Sequence, residues 1–292
     1  MPGNTKNKDN TQLIAGLVTM ALAVALMVGT VMCMRTCAAQ APTLATTLPT
    51  QTLGTPAATV QPGPTLAPNP YGPGDFAYAG DYLTCISGQS ALGVDVSEYQ
   101  GKIDWQQVAD AGVGFAMIRL GFRAWGSEGN LYEDAYWRDN LQGAREAGLQ
   151  VGVYFFSQAV DVAEAKEEAR FLLACLDGAE LSLPVVFDWE TVPDENARTQ
   201  GVTGAQLNDC AMAFCGEIEA AGYAPMVYFN QDQAKRMYDL QMLQDAGCGF
   251  WLAMYASSMT YPYKLSMWQY TSSGSVPGIQ GYVDLDLYFT YE

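Results

Sequence analysis

Short apolar segments alternate with amphipathic segments from residue 91 onward, and this alternation restricts the possible fold more than any other feature of the chain. The apolar segments predict eight strands, at 91–96, 114–120, 150–156, 183–189, 224–229, 249–254, 265–270 and 281–287. The amphipathic segments predict five helices, at 105–111, 134–147, 161–176, 203–221 and 232–246. Such alternation predicts a mostly parallel sheet. Eight strands with few helices in the last third predict a closed α/β barrel of the TIM type.

Two carboxylates stand at the end of the fourth predicted strand. Asp188 and Glu190 follow the apolar run 183–187. Alternate residues of a strand project to the same face, so both carboxyls are expected to share one space. Two acids in one site cannot both ionise freely, and the pKa of one of them rises. A protonated carboxyl beside a charged one is what cleavage of a glycosidic bond requires, although such a pair can also be simply solvated.

Further acids and aromatic rings fall near the ends of other predicted strands. Asp95 and Asp284 belong to the first and last of these strands. Chemistry in such barrels lies at the C-terminal face of the strands, so acids from three separated strands are expected to converge there. Aromatic side chains are predicted on the same rim, where a sugar could stack on them, or else in the core: Tyr154, Phe156, Tyr228, Tyr255 and Trp268.

The residues that are absent exclude several other classes of chemistry. The chain has no histidine, which excludes serine and cysteine hydrolysis through an imidazole base and disfavours catalytic zinc. No Cys-x-x-Cys pair and no glycine-rich phosphate motif occurs, so we expect neither a metal nor another cofactor. A formal net charge of −17 makes nucleic acid an implausible partner.

The first 74 residues predict a membrane tether. Residues 13–32 form an uncharged, largely apolar segment of 20 residues, about the length that spans a bilayer. We therefore expect a cytoplasmic tail at 1–12, a transmembrane signal-anchor helix at 13–32, and an extracellular linker rich in proline, threonine and alanine at 33–74. The folded domain would occupy 75–292 outside the cell. Secretion after signal cleavage near residue 39 is the alternative.

Six sequence motifs, in this order, resemble glycoside hydrolase family 25, the Chalaropsis-type lysozymes. The motifs are GVDVSEYQG at 93–101 with IDW at 103–105, FAMIRLG at 115–121, GVYFF at 152–156, FDWE at 187–190, WQY at 268–270 and VD at 283–284. The resemblance implies a flattened barrel of five β/α units followed by three strands, (β/α)5(β)3. It also implies hydrolysis of the β-1,4 bond between N-acetylmuramic acid and N-acetylglucosamine in peptidoglycan.

The resemblance further implies roles for individual residues. Glu190 would be the general acid, and Asp188 would stabilise the positive charge that develops on the sugar. Asp95 and Asp284 would line the same cleft as part of the catalytic group. Tyr154 would contact the acetamido group of the substrate. From their places in the sequence we also expect substrate contacts from Arg119, Tyr228, Tyr255, Trp268 and Asp286.

Asp286 departs from the family, which often has asparagine at this position, and we expect the extra carboxylate to raise the pKa of Glu190 further. The family's frequent histidine near the site is also missing. Two other functions remain open: a catalytically silent module that binds peptidoglycan, and a hydrolase directed at chitin. The catalytic domain is expected to be monomeric.

Overall fold

A computed structural model of the protein describes residues 65–291. Eleven strands and six α-helices follow one another in these residues. The strands are β1 (Phe76–Ala79), β2 (Tyr82–Cys85), β3 (Gln89–Val96), β4 (Phe115–Arg123), β5 (Leu131–Glu133), β6 (Gln150–Ser157), β7 (Val185–Trp189), β8 (Pro225–Asn230), β9 (Gly249–Ala253), β10 (Met267–Gly274) and β11 (Val283–Thr290). The helices are α1 (Trp105–Asp110), α2 (Trp137–Glu146), α3 (Val162–Leu176), α4 (Gly204–Ala220), α5 (Gln231–Arg236) and α6 (Leu240–Asp245).

Eight of the strands close into a barrel. Their order around the sheet is β3-β11-β10-β9-β8-β7-β6-β4, and pairing of β3 with β4 completes the circle. A helix or a helix pair follows each of β3, β4, β6, β7 and β8, whereas no α-helix lies between β9 and β11. The (β/α)5(β)3 barrel expected from the sequence is therefore confirmed, with all eight predicted strands in place.

Short polar side chains start the helices, and glycines follow their ends. Asp104, Asp161 and Thr203 each accept a hydrogen bond from the backbone N–H of the third helical residue, which satisfies a donor that the helix itself leaves unpaired. Gly148 and Gly222 adopt positive φ angles of 84° and 88° just after α2 and α4. That conformation costs glycine little and turns the chain back into the next strand.

The last strand runs against the other seven. Residues 275–282 join β10 to β11, and the two strands pair antiparallel. A connection this short can reverse the chain beside its own strand but cannot carry it back to the other end of the barrel. As a result, the N-terminal end of β11 lies at the rim formed by the C-terminal ends of the others. Asp284 reaches the rim from the start of its strand.

The N-terminal part of the described chain covers strands that have no helix outside them. Phe76 of the β1–β2 hairpin packs edge-on against Trp268, with ring centroids 5.1 Å apart. Upstream, Ala67 and Asn69 exchange backbone hydrogen bonds with the segment before β10. Ala67 and Asn69, which lie within the predicted linker at 33–74, therefore pair with the folded domain, and the bounds of the linker stay a prediction. The hydrophobic outer face of the last strands provides the surface on which they pack.

Two further differences concern helices. The predicted helix 232–246 is interrupted at residues 237–239, where Asp239 starts α6 by accepting a hydrogen bond from the backbone N–H of Met242. No helix among residues 65–291 is both long and apolar enough to cross a membrane. The predicted anchor at 13–32 lies outside the described residues and stays a prediction.

The barrel interior changes from apolar to polar along its axis. Phe115, Met117, Met226 and Met267 fill the lower part and are fully buried or nearly so. A Cβ on Gly93 would lie 2.1 Å from the Phe115 ring, so only glycine leaves room for that ring. Above this layer the inward-facing positions of the same strands carry polar and charged side chains. The apolar layer thus forms the base of a cleft that opens at the C-terminal rim.

Candidate active site

A cleft of about 270 Å³ opens at this rim. It brings together eight of the ten residues that the sequence analysis assigned to the site: Asp95, Arg119, Tyr154, Asp188, Glu190, Tyr228, Tyr255 and Asp284. Ser97, Tyr99, Gln100, Phe156, Trp251 and Gln269 complete its lining. All eight barrel strands and the turns that follow β3, β7 and β9 supply these side chains, as expected for chemistry at this end of a TIM-type barrel.

Asp188 and Glu190 enter the cleft from the end of β7. Val186, Asp188 and Glu190 alternate with Phe187 and Trp189, which face outward into the layer between barrel and helices. Asp188 is 5% exposed, and its Oδ1 has no hydrogen-bond partner among the described residues. Glu190 lies one residue beyond the strand and is half-buried. The predicted convergence of the two carboxyls is therefore observed.

The charges around the two carboxyls differ. Burial, followed by the charge of Asp284, raises the pKa of Glu190 to about 7. Burial and the Glu190 charge raise the pKa of Asp188 well above its usual range, while the Arg119 guanidinium opposes that rise. The charge of Asp284 thus acts on Glu190, whereas Asp188 is acted on by the Glu190 charge and, in the opposite direction, by the Arg119 guanidinium. A proton on Glu190 removes the charge that raises the pKa of Asp188 and leaves the Arg119 charge, which favours the ionised form of Asp188,.

Arg119 is fixed by two acids behind the cleft. Its Nε donates to Asp134 Oδ2 at 2.8 Å and one Nη donates to Glu98 Oε1 at 3.1 Å. Asp134 also accepts the backbone N–H of Glu98 at 2.8 Å, which joins the turn after β3 to the same group. The Tyr99 ring lies over the guanidinium, 5.1 Å from its central carbon. Arg119 therefore carries its positive charge in a fixed place at the cleft wall.

Gln269 joins three side chains of the cleft and was not predicted. Its Nε2 donates to Asp95 Oδ2 at 2.8 Å, and its Oε1 accepts from the hydroxyls of Tyr228 at 3.0 Å and Tyr255 at 3.2 Å. The sequence signal that could have identified it is the alternation in β10, where Met267 and Gln269 face inward. The prediction placed Trp268 inward instead, and an error of one residue moves every side chain of a strand to the other face.

Trp268 is the neighbour of Gln269 in β10 and therefore points to the opposite face of the strand. It does not lie on the rim, where the sequence analysis placed it. The side chain is fully buried outside the barrel, where its Nε1 donates to the Met254 carbonyl at 2.7 Å. It packs in the core against Phe76 and Tyr270, which leaves none of its surface available to a sugar.

Asp286, predicted to contact substrate, is not among the residues that line the cleft. It is fully buried beneath the cleft, and Trp251 Nε1 donates to its Oδ1 at 2.8 Å. Burial and the charge of Asp284 raise its pKa well above the usual range. Asp286 in turn raises the pKa of Asp95, after burial and the charge of Asp284. Its contacts are therefore with Asp95 rather than with Glu190.

Exposed tyrosines stand on two sides of the cleft. Tyr99 is 75% exposed and Tyr255 is 60% exposed. Tyr154 and Tyr228 lie deeper and pack edge-on against Trp251, with centroid distances of 6.1 and 4.9 Å. The cleft thus has a floor of fixed aromatic rings and two exposed rings at its mouth. Rings with free faces are suited to contact the apolar faces of sugars.

The chain is similar to known proteins over the part that forms the barrel. It is 27% identical over 200 residues to the autolytic lysozyme of Clostridium acetobutylicum, which covers 66% of this chain and 54% of that protein. It is 28% identical over 200 residues to Lysozyme M1 of Streptomyces globisporus, covering 66% of this chain and 65% of that one. The chain therefore spans between about half and two thirds of the length of these relatives.

Solved structures agree with the fold. A family 25 glycosyl hydrolase from Bacillus anthracis superposes with a TM-score of 0.59 at 21% identity, over 74% of this chain and 96% of that one. The modular autolysin LytC from Streptococcus pneumoniae gives a TM-score of 0.58 at 25% identity, over 69% of this chain and 47% of that one. The family model "Glycosyl hydrolases family 25" matches residues 94–279. The chain belongs to glycosyl hydrolase family 25.

Proposed function

We propose that the protein is a muramidase, which hydrolyses the β-1,4 bond between N-acetylmuramic acid and N-acetylglucosamine in peptidoglycan. The observation that carries this proposal is the difference in charge around the two carboxyls at the end of β7. Arg119 favours the ionised form of Asp188, and Asp284 favours the protonated form of Glu190. Family membership and the lysozyme names of the two relatives support the same substrate.

Glu190 is the general acid in this proposal. Its proton passes to the glycosidic oxygen as the bond from that oxygen to the anomeric carbon breaks, and the bonding electrons stay on the oxygen. The positive charge that develops on the sugar is stabilised by the ionised Asp188. The Oδ1 of Asp188 can accept a hydrogen bond from the substrate, because no described protein group donates to it. A water then supplies hydroxide to the anomeric carbon, and its remaining proton restores the acid.

The remaining cleft residues bind and orient the glycan in this scheme. Asp95 is held by Gln269 on the floor. Tyr154 lines the same cleft near Arg119 and Asp188, where it can contact an acetamido group. The exposed rings of Tyr99 and Tyr255 are placed to contact sugars on either side of the cleft. A site of carboxylates and tyrosines is consistent with a glycosidase that needs no cofactor.

Product analysis tests the proposed function. Purified cell walls are digested with the protein, reduced with borohydride and separated by mass. A muramidase leaves reduced muramic acid at the new chain ends, whereas a glucosaminidase leaves reduced glucosamine. Soluble chitin oligomers are tested in parallel. Cleavage of chitin without cleavage of walls would favour the chitin-directed hydrolase, and sedimentation with walls without any new reducing ends would favour the silent binding module.

We propose further that the domain acts outside the cell on a membrane tether. The uncharged segment 13–32 and the linker that follows it support this proposal,. Membranes are separated from culture medium, and intact protoplasts are treated with protease. The expected result is membrane-bound protein whose barrel domain is accessible to the protease. A soluble product in the medium that begins near Gln40 would support the cleaved signal peptide instead.

A further inference from the structure

Glu190 lies where the hydrogen-bond ladders of β7 have ended. The last pairs of this strand join Trp189 to Ser157 on one side and Asp188 to Tyr228 on the other. Backbone groups beyond the last pair need other partners when they are buried. Two side-chain amides provide them: Gln158 Nε2 donates to the Glu190 carbonyl and Gln233 Nε2 donates to the Trp189 carbonyl, each at 2.7 Å.

The first of these amides is itself held firmly. Gln158 follows β6 and is fully buried. Its Nε2 also donates to the Ser157 carbonyl at 2.9 Å, and its Oε1 accepts from the Thr199 hydroxyl at 3.3 Å. Arg198 donates to its backbone carbonyl at 3.3 Å. The Gln158 amide therefore has partners on both of its polar atoms and has little freedom to rotate.

The second amide is held by the start of α5. Gln233 is 5% exposed, and its Oε1 accepts the backbone N–H of Asn230 at 2.9 Å. The Asn230 side chain accepts the backbone N–H of Gln233 in return at 3.0 Å. This reciprocal capping arrangement fixes the glutamine at the helix start. The carbonyls of residues 189 and 190 are thus held by residues that follow β6 and β8, the two strands that flank β7.

The Glu190 carboxyl has no comparable support of its own. Burial and the charge of Asp284 act on it, with no hydrogen bond from a described side chain among the causes of its raised pKa. The place of the carboxyl in the cleft therefore depends on the backbone from which it projects. A buried amide on the carbonyl of the same residue is a direct way to fix that backbone.

We propose that Gln158 and Gln233 are positioning residues, which hold the peptide groups at the end of β7 so that the Glu190 carboxyl is directed into the cleft. The inference rests on the proposed muramidase function for its kinetic consequence. It does not rest on that function for the geometry. Reacting groups displaced by about 1 Å can lose on the order of 10²-fold in rate, so the loss of one amide should affect turnover more than binding.

Replacement of the amide by an apolar chain of similar length tests the proposal. Gln158→Met should lower kcat on soluble peptidoglycan fragments by about 10- to 100-fold, with KM changed by less than about threefold. The alkaline limb of the pH–rate profile should move to lower pH, because a less fixed Glu190 spends more time near solvent, where its pKa is less raised. Gln233→Met should likewise lower kcat and move the alkaline limb to lower pH. If Gln158→Met does not fold, Gln233→Met provides the test.

Asn208→Leu provides the matched control. The Asn208 amide is also buried and donates to the carbonyls of Gly204 at 2.6 Å and Met237 at 2.8 Å, away from the cleft. This variant should lose thermal stability while it keeps the kcat and the pH profile of the wild type. If Gln158→Met and Asn208→Leu lowered kcat equally, with the same pH profile, the two glutamines would be structural only.

A titration of Glu190 separates this proposal from the proposed function. Carbon-13 NMR of glutamate carboxyls follows its pKa directly, and Glu190→Gln identifies its signal. A lower Glu190 pKa in Gln158→Met, together with a wild type inactive on walls, would reject the muramidase and keep the positioning role. An active wild type with the same Glu190 pKa and the same kcat in both glutamine variants would overturn the positioning role.

Discussion

Asp284 lies directly opposite Asp95 in the antiparallel ladder between β11 and β3. Two residues further along β11, Asp286 faces Gly93 and projects to the same side of the sheet, deeper in the barrel. Three carboxyls from two neighbouring strands are therefore grouped beneath and beside Asp188 and Glu190. Burial raises the pKa of each of them, and of Asp284 to about 6. Of the three acids, Asp284 is the one whose charge contributes to the raised pKa of Glu190.

Glu190→Gln should lower wall lysis by about 10²- to 10⁴-fold, the usual contribution of general acid catalysis. The amide has nearly the same shape as the carboxyl but cannot donate the proton to the leaving oxygen. Turbidity loss of purified walls measures the effect, and co-sedimentation should show that glycan binding persists. Glu146→Gln, on the exposed face of α2, is the matched control and should keep full activity. More than a tenth of wild-type activity in Glu190→Gln would contradict its role.

Activity should fall as the pH rises through about 7, because the pKa of Glu190 is raised to about 7 and only the protonated form is an acid,. Asp284→Asn removes the charge that contributes to this rise, so the alkaline limb of kcat should move to lower pH. Asp209→Asn, on an exposed part of α4, should leave the limb in place. An unmoved limb in Asp284→Asn would show that burial alone sets the pKa of Glu190.

Substitutions at two neighbouring residues of β10 should affect different properties: catalysis for Gln269 and stability for Trp268. Gln269→Leu removes the hydrogen bonds to Asp95, Tyr228 and Tyr255. It should lower kcat/KM by at least about tenfold, since the buried Asp95 and Tyr228 lose this partner,. Trp268→Phe removes the bond to the Met254 carbonyl outside the barrel and should cost about 1–3 kcal/mol of stability. Chemical denaturation and wall-fragment kinetics are measured on both. Loss of activity in Trp268→Phe without loss of stability would contradict the observed register.

The sequence was a good guide wherever local pattern decides structure. Alternation placed all eight barrel strands, and the spacing of Asp188 and Glu190 placed both carboxyls in one cleft. Trp268 was misplaced because strand pattern alone does not say which face of a strand turns inward. Gln269 was missed for the same reason, because an error of one residue exchanges the inward and outward faces of a strand. Arg119 was expected at the site, but its fixation by Asp134 depends on a contact across the loop after β5, which no local pattern encodes.

Asp286 was expected to raise the pKa of Glu190, but it is not among the charges that do so. Proximity in sequence to Asp284 suggested an effect on Glu190, whereas alternation places both β11 acids inside the barrel at different depths. Asp286 lies lower, beside Trp251 and Asp95, and the charge that raises the pKa of Glu190 is that of Asp284. The revised expectation is that Asp286 affects stability more than the pH profile of catalysis.

Asp286→Asn should therefore stabilise the protein, by about 1–3 kcal/mol at pH 8 and by less at pH 5. Burial and Asp284 raise the pKa of Asp286 in the folded protein. The unfolded chain therefore loses this proton at lower pH than the folded protein does, and stability falls as the pH rises above about 4. Asparagine keeps an oxygen for Trp251 Nε1 and adds an N–H that can donate to Asp95. Thermal unfolding at the two pH values measures the difference between wild type and variant. An equal gain at both pH values would show that packing, rather than removal of a buried charge, produces the effect.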